Sequence, residues 1–194
     1  MDDTIIRALD EGISLRQQCR DTLPPLLAQA ALCMSTSLQR GNKILACGNG
    51  GSAADAQHFA GELVNRFERD RPALAAVALT HDASVITSIA NDYAFDDIFS
   101  RQVQALGRAG DVLLAISTSG NSRNVLAAAE AATRLDMDVI ALTGQDGGAL
   151  GRMIKPEHHL NIPHTSTPRV QEMHITCLHV ICTLIDDTLF GEQP

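Results

Sequence analysis

His58 and Glu62 stand four positions apart, so on a helix their side chains share one face about one turn apart. An imidazole and a carboxylate so placed suit joint coordination of a divalent metal or a shared proton. Taken alone, such a pair is more often a solvated surface contact, so its surroundings decide its meaning. The same stretch opens with Gly48-Asn49-Gly50-Gly51-Ser52, directly after Lys43-Ile44-Leu45-Ala46-Cys47, an apolar run that reads as a buried strand. A glycine-rich turn that starts a helix leaves backbone N–H groups unpaired, and these favour an anion. An anion seat and a His/Glu pair on one helix suggest a phosphorylated substrate beside a metal or a proton-transfer site.

Two further loops have matching character. Ser117, Thr118, Ser119 and Ser122 place four hydroxyls in six residues around Gly120. Hydroxyls and helix-start amides can surround a phosphate without a basic side chain. Thr143-Gly144-Gln145-Asp146-Gly147-Gly148 is a third polar, glycine-bearing turn after an apolar run. Neither the nucleotide pattern Gly-x-x-x-x-Gly-Lys-Ser/Thr nor the dinucleotide glycine spacing occurs. Near the other end, the segment from Pro168 to Asp187 reads as a long, mostly apolar helix carrying Gln171, Glu172, His174 and His179. His174 fits a core histidine bonded to backbone. Gln171 and His179 lie about 12 Å apart along a helix, so one metal reaches both only through a local bend or from different subunits.

The elements that must position these groups follow from periodicity. Residues 3–20 and 24–40 read as two helices, the first amphipathic through Ile5, Ile6, Leu9, Ile13 and Leu15. The second has Pro24 and Pro25 in its first turn and stops at Gly41. From Lys43 onward, strand-like runs (43–47, 75–79, 111–116, 139–142, 159–162) alternate with helical patterns. The expectation is an α/β fold, a three-layer sandwich with a mainly parallel sheet covered on both faces. The chain is expected to form one domain over 1–194, with residues 1–41 as an N-terminal helical extension. Loops at the carboxyl ends of parallel strands converge on the ligand crevice, so the three polar loops should form one binding mouth.

Composition narrows the function. Formal net charge is −8 with no block of Lys or Arg, which argues against a surface that neutralises many nucleic-acid phosphates. Trp is absent and Tyr occurs once, which removes the usual base-stacking platforms. The start has no secretory-signal pattern and no apolar run approaches bilayer length, so a cytoplasmic protein is expected. Cys19, Cys33, Cys47, Cys177 and Cys182 form no Cys-x-x-Cys pair and are odd in number. Reduced, mostly buried thiols are expected.

The combination of Cys-Gly-Asn-Gly-Gly-Ser at 47–52, Ala-Asn-Asp at 90–92, Gly-Asp-Val-Leu-Leu-Ala-Ile-Ser-Thr-Ser-Gly-Asn-Ser at 110–122, Leu-Thr-Gly-x-Asp-Gly-Gly at 142–148 and Arg-Val-Gln-Glu-Met-His at 169–174 resembles the sugar-isomerase (SIS) domain family, in its phosphoheptose isomerase group. The resemblance covers essentially the whole chain. It implies isomerisation of sedoheptulose 7-phosphate to D-glycero-D-manno-heptose 7-phosphate, the first step toward ADP-heptose and the lipopolysaccharide core, by metal-assisted proton transfer. It further implies a homotetramer with active sites between subunits, and one zinc per subunit held by residues matching His58, Glu62, Gln171 and His179. Implied substrate contacts are Asn49, Gly50, Gly51, Glu62, Asn91, Asp92, Ser117, Thr118, Ser119, Ser122 and Gln171, with Glu62 and His179 as the catalytic pair. Asn65-Arg66-Phe67-Glu68, Arg71-Pro72-Ala73-Leu74 and the segment 184–190 also resemble the initiator-associating branch, whose tetramers bind the bacterial replication initiator. That branch lacks counterparts of Glu62 and His179, which this chain has.

Overall fold

The computed structural model describes residues 2–191. Two helices come first, α1 (Asp2–Arg20) and α2 (Pro24–Gln39). Then β1 (Ile44–Gly48), α3 (Gly51–Val64), β2 (Ala76–Ala78), α4 (Ala83–Asp92), α5 (Ser100–Leu106), β3 (Val112–Ser117) and α6 (Arg123–Arg134) follow. The chain closes with β4 (Asp138–Gly144), α7 (Gly148–Met153), β5 (His159–Ile162) and α8 (Thr167–Phe190). The five strands form one parallel sheet in the order β2-β1-β3-β4-β5. The expected three-layer α/β architecture is therefore what the chain adopts.

Strand alternation divides the core into two layers. Ile44 and Ala46 of β1, Val112, Leu114 and Ile116 of β3, and Ile140 and Leu142 of β4 pack toward α2, α3 and α8. The intervening Leu45, Cys47, Leu113, Ala115, Val139 and Ala141 pack toward α5, α6 and α7. Both faces are covered, which is why the central strands read as unbroken apolar runs and not as alternating ones. Phe59 of α3 is fully buried in the first layer, and truncating it to Ala would cost about 3–5 kcal/mol. At the amino ends of β1 and β3, the buried Asp111 carboxylate accepts from Lys43 N (3.0 Å), Lys43 Nζ (2.6 Å) and Arg108 N (2.9 Å), which pins the strand register.

α8 matches a membrane span in length and apolar composition, with a mean hydropathy of 1.3 over its best window. Its apolar character has a different cause here. Val170, Met173, Cys177, Leu178, Ile181, Cys182 and Ile185 are buried in the core against the sheet and α2. All five cysteines are free, with only Cys33 partly exposed. α1 departs from a simple amphipathic reading: Leu15 and Cys19 are buried, but Ile5, Ile6, Leu9 and Ile13 are 54 to 60 % exposed. The helix docks through its C-terminal part and leaves an apolar stripe facing outward.

The strand order reverses direction at β1, so the helices after β1 and β3 lie on opposite faces of the sheet. The crevice between the carboxyl ends of those two strands is the switch point where ligands bind in open α/β sheets.

Candidate active site

The loops that leave β1 and β3 are tied together across that crevice. Asn49 and Asn124 exchange two amide hydrogen bonds of 2.8 Å each. Leu150 N donates to the Gly120 carbonyl at 2.9 Å and Ala149 N to Asn121 Oδ1 at 3.0 Å, which joins the β4 loop to the same cluster. Gly120 has φ of +63°, and a Cβ there would overlap the Gly147 carbonyl. Only glycine lets the two turns close on each other at this point. The three polar loops thus meet at one end of the sheet, as expected from sequence.

Ser117 Oγ donates to Ser122 Oγ at 3.0 Å, and Ser119 Oγ accepts from Asn121 N at 3.2 Å. Thr118 and Ser119 are half-buried on this loop. Ser122 precedes α6 and Gly50 precedes α3, and neither helix start carries a side-chain cap. Two uncapped helix starts beside the serine hydroxyls favour an anion at this place.

Beyond the first turns of α3 lies the titratable cluster. His58 Nε2 is 3.0 Å from Glu62 Oε1 and 2.9 Å from His179 Nε2 of α8. Phe67 stacks on the His179 ring, with centroids 5.7 Å apart and 24° between planes. One ligand atom from each of His58, Glu62 and His179 lies within 4.8 Å of the others. Two imidazole nitrogens and a carboxylate oxygen converge on this point, a donor set that suits a cation. Ligands about 2.0–2.1 Å from a tetrahedral Zn²⁺ stand roughly 3.3 Å apart, close to the separations observed. The donor set therefore fits a zinc ion.

Gln171 is placed elsewhere. It sits against the start of α3, where a Cβ on Gly51 would overlap its side-chain amide. α3 and α8 run side by side in the same direction, with Gln171 at Gly51 and His179 at His58 and Glu62. Asn91 and Asp92 lie exposed in the last turn of α4, where Asn91 Nδ2 donates to Asp92 Oδ1 at 2.8 Å. The following turn approaches the start of α6 through Asp96 and Arg123, 3.8 Å apart. Among the described residues, no hydrogen bond links Asn91 or Asp92 directly to the serine loop or the His58 cluster.

Two contributors escaped the sequence reading of the site, and a third was read only in part. The Arg71 side chain is buried and donates to the Glu62 carbonyl (2.8 Å), the Leu63 carbonyl (2.7 Å) and Asp186 Oδ1 (2.9 Å), thereby closing the end of α3 that carries Glu62. Its only sequence signal was its position in the 71–74 stretch. Asp55, one turn before His58, has a buried Oδ2 with no hydrogen-bond partner among the described residues; burial raises its carboxyl pKa and nearby His58 partly offsets that. His174 is the core histidine expected, its Nε2 3.0 Å from the Thr143 carbonyl; what the sequence hid is that this bond steadies the strand end feeding the third loop. Burial pushes its pKa down to about 4, so it is neutral.

A family model described as the SIS domain matches residues 9–144 of the chain. The chain is 54 % identical over 181 residues to the phosphoheptose isomerase of Alteromonas mediterranea, covering 93 % of this chain and 91 % of the relative. It is 51 % identical over 194 residues to that of Methylibium petroleiphilum, covering 100 % and 97 %. Among solved structures, phosphoheptose isomerase GmhA from Neisseria gonorrhoeae is similar with a TM-score of 0.91 at 51 % identity, over 96 % of this chain and 98 % of that one. A phosphoheptose isomerase from Francisella tularensis gives 0.92 at 45 % identity, over 95 % and 97 %.

Proposed function

The chain belongs to the SIS domain family and is an aldose–ketose isomerase of the phosphoheptose type, and we propose how its residues convert sedoheptulose 7-phosphate to D-glycero-D-manno-heptose 7-phosphate. The observation that carries this reading is the meeting of His58, Glu62 and His179, about two to three turns of α3 from the phosphate seat.

Moving a carbonyl between neighbouring carbons requires one proton to cross between the carbons and another between the oxygens. Glu62 turns Oε1 toward His58, which leaves Oε2 to take and return the carbon-bound proton. His179 handles the oxygen-bound proton, its ring stacked on Phe67. Zinc held by His58, Glu62, His179 and Gln171 would polarise the sugar's carbonyl and hydroxyl oxygens. Because α8 is one unbroken helix, Gln171 would join that shell from a second subunit. Ser117, Thr118, Ser119 and Ser122, with the amides at Gly50 and Gly51, receive the phosphate and fix the remote end of the sugar. Asn49 holds the loop through Asn124, and Asn91 and Asp92 contact the sugar from the α4 side.

The exposed stripe of Ile5, Ile6, Leu9 and Ile13 supports assembly with further copies of the chain, as a homotetramer. The setting is the cytoplasm, where the product feeds ADP-heptose and lipopolysaccharide-core synthesis. Incubating the protein with sedoheptulose 7-phosphate and following product by NMR tests the reading. Turnover that stops with chelator and returns with Zn²⁺ supports it. A silent protein that instead captures the replication initiator would replace it with the scaffold function.

A further inference from the structure

Cys33 of α2, Asp138 at the first position of β4 and His158 in the turn before β5 come from three segments far apart in sequence. They bring a sulfur, a carboxylate oxygen and an imidazole nitrogen within 4.8 Å of one another. His158 Nδ1 lies 4.0 Å from Asp138 Oδ1, and the Lys155 ammonium is 3.5 Å from the same oxygen. The His158 side chain is only 8 % exposed, whereas Asp138 is 46 % exposed. The cluster borders a recess of about 360 Å³ lined in part by Thr133, Asp136, Met153 and Lys155. It stands at the amino end of β4, the opposite end of the sheet from the carboxyl-end loops, so it is separate from the isomerase site.

We propose that Cys33, Asp138 and His158 form a second metal site that takes a thiophilic divalent cation of the Zn²⁺ class. The mixed S, O and N donor set is what zinc accepts, while Mg²⁺ and Ca²⁺ require all-oxygen shells. Three protein ligands leave a fourth position, and the recess supplies water to it. Without a cation the thiol is protonated: burial first, and then the Asp138 carboxylate, push Cys33 up to about 11. Binding exchanges that proton for the metal. An occupied site clamps α2 to the base of the sheet, joining the N-terminal helices to the strands through a bond that the hydrophobic core alone does not provide. Lys155 currently balances the Asp138 charge and is the competitor that the ion displaces.

Titration of the chelator-stripped full-length protein with Co²⁺ tests this, because a thiolate-to-cobalt charge-transfer band in the near ultraviolet can arise only where sulfur is a ligand. The His58, Glu62 and His179 cluster contains none. The expected result is a band that saturates by two equivalents per chain in the wild type, the other equivalent entering the His58, Glu62 and His179 cluster, and that is absent from Cys33→Ser and His158→Ala, with isomerase turnover retained in both. Lys155→Met should tighten Co²⁺ binding about two- to five-fold, the worth of a partly exposed ion pair. Lys155→Met and His158→Gln carry the test independently should Cys33→Ser fail to fold. Absence of the band, its persistence in Cys33→Ser or in either His158 variant, or an unchanged affinity in Lys155→Met would overturn the site.

Discussion

Arg71 and Asp186 meet at 2.9 Å with side chains 1 % and 3 % exposed, and this buried ion pair fastens the end of the Glu62 helix to α8. The guanidinium spends its other donors on the Glu62, Leu63 and Pro72 carbonyls, while Asp186 Oδ2 has no partner among the described residues. Removing the cation therefore leaves a buried carboxylate with nothing to balance it. Arg71→Met should destabilise the chain by about 3–5 kcal/mol, read by urea unfolding. A loss comparable to that of a surface pair would show that the contact does not hold α3.

Glu62 and His179 are expected to be indispensable for proton transfer. Glu62→Gln and His179→Gln should each lower turnover by about 100-fold or more, with circular dichroism and oligomer size unchanged. Near-normal turnover in both variants would remove these assignments.

Gly51→Ala probes the other end of α3. The new methyl group would occupy the space of the Gln171 amide, the flexible end of a side chain, so the fold should survive while Gln171 is displaced. Catalytic efficiency should fall by about 10-fold or more, as expected when a hydrogen bond to a charged ligand is lost. A fully active variant would place Gln171 outside the reaction.

His174 predicts an acid-sensitive core. Its folded value of about 4 lies below the ordinary 6.5, so between those pH values the unfolded chain binds a proton that the folded chain refuses. The stability contributed by neutral His174 is complete above pH 6.5 and is lost as pH falls toward 4. The full effect is about 3 kcal/mol, because each tenfold difference in proton affinity between the folded and unfolded chain is worth about 1.4 kcal/mol. Unfolding free energies compared at about pH 7 and about pH 4.5 should show a smaller acid loss in His174→Gln than in the wild type. Equal losses would mean that the imidazole is not the sensor.

Local pattern carried the parts of this molecule that are local. β1, β3 and β4 are continuous apolar runs because both sheet faces are covered, and the glycine- and serine-rich turns after them mark the strand ends where the three loops meet. The His58–Glu62 spacing is likewise a property of one helix. His179 joins that pair only because two helices pack side by side, and no periodicity records a 2.9 Å approach across 121 positions. Arg71 with Asp186, and Cys33 with Asp138 and His158, were illegible for the same reason. α1 shows the reverse case. Its apolar spacing was plain, yet the chain's own core takes only Leu15 and Cys19, because a pattern shows which face is greasy and not what covers it.

One rod, α3, starts at the uncapped amides of the proposed phosphate seat and carries His58 and Glu62 about two to three turns later. Loosening it disables anchoring and chemistry in the same event. Unravelling this helix by heat should therefore abolish sugar binding and turnover together, whereas Glu62→Gln, which leaves the helix intact, should still hold sugar while failing to transform it.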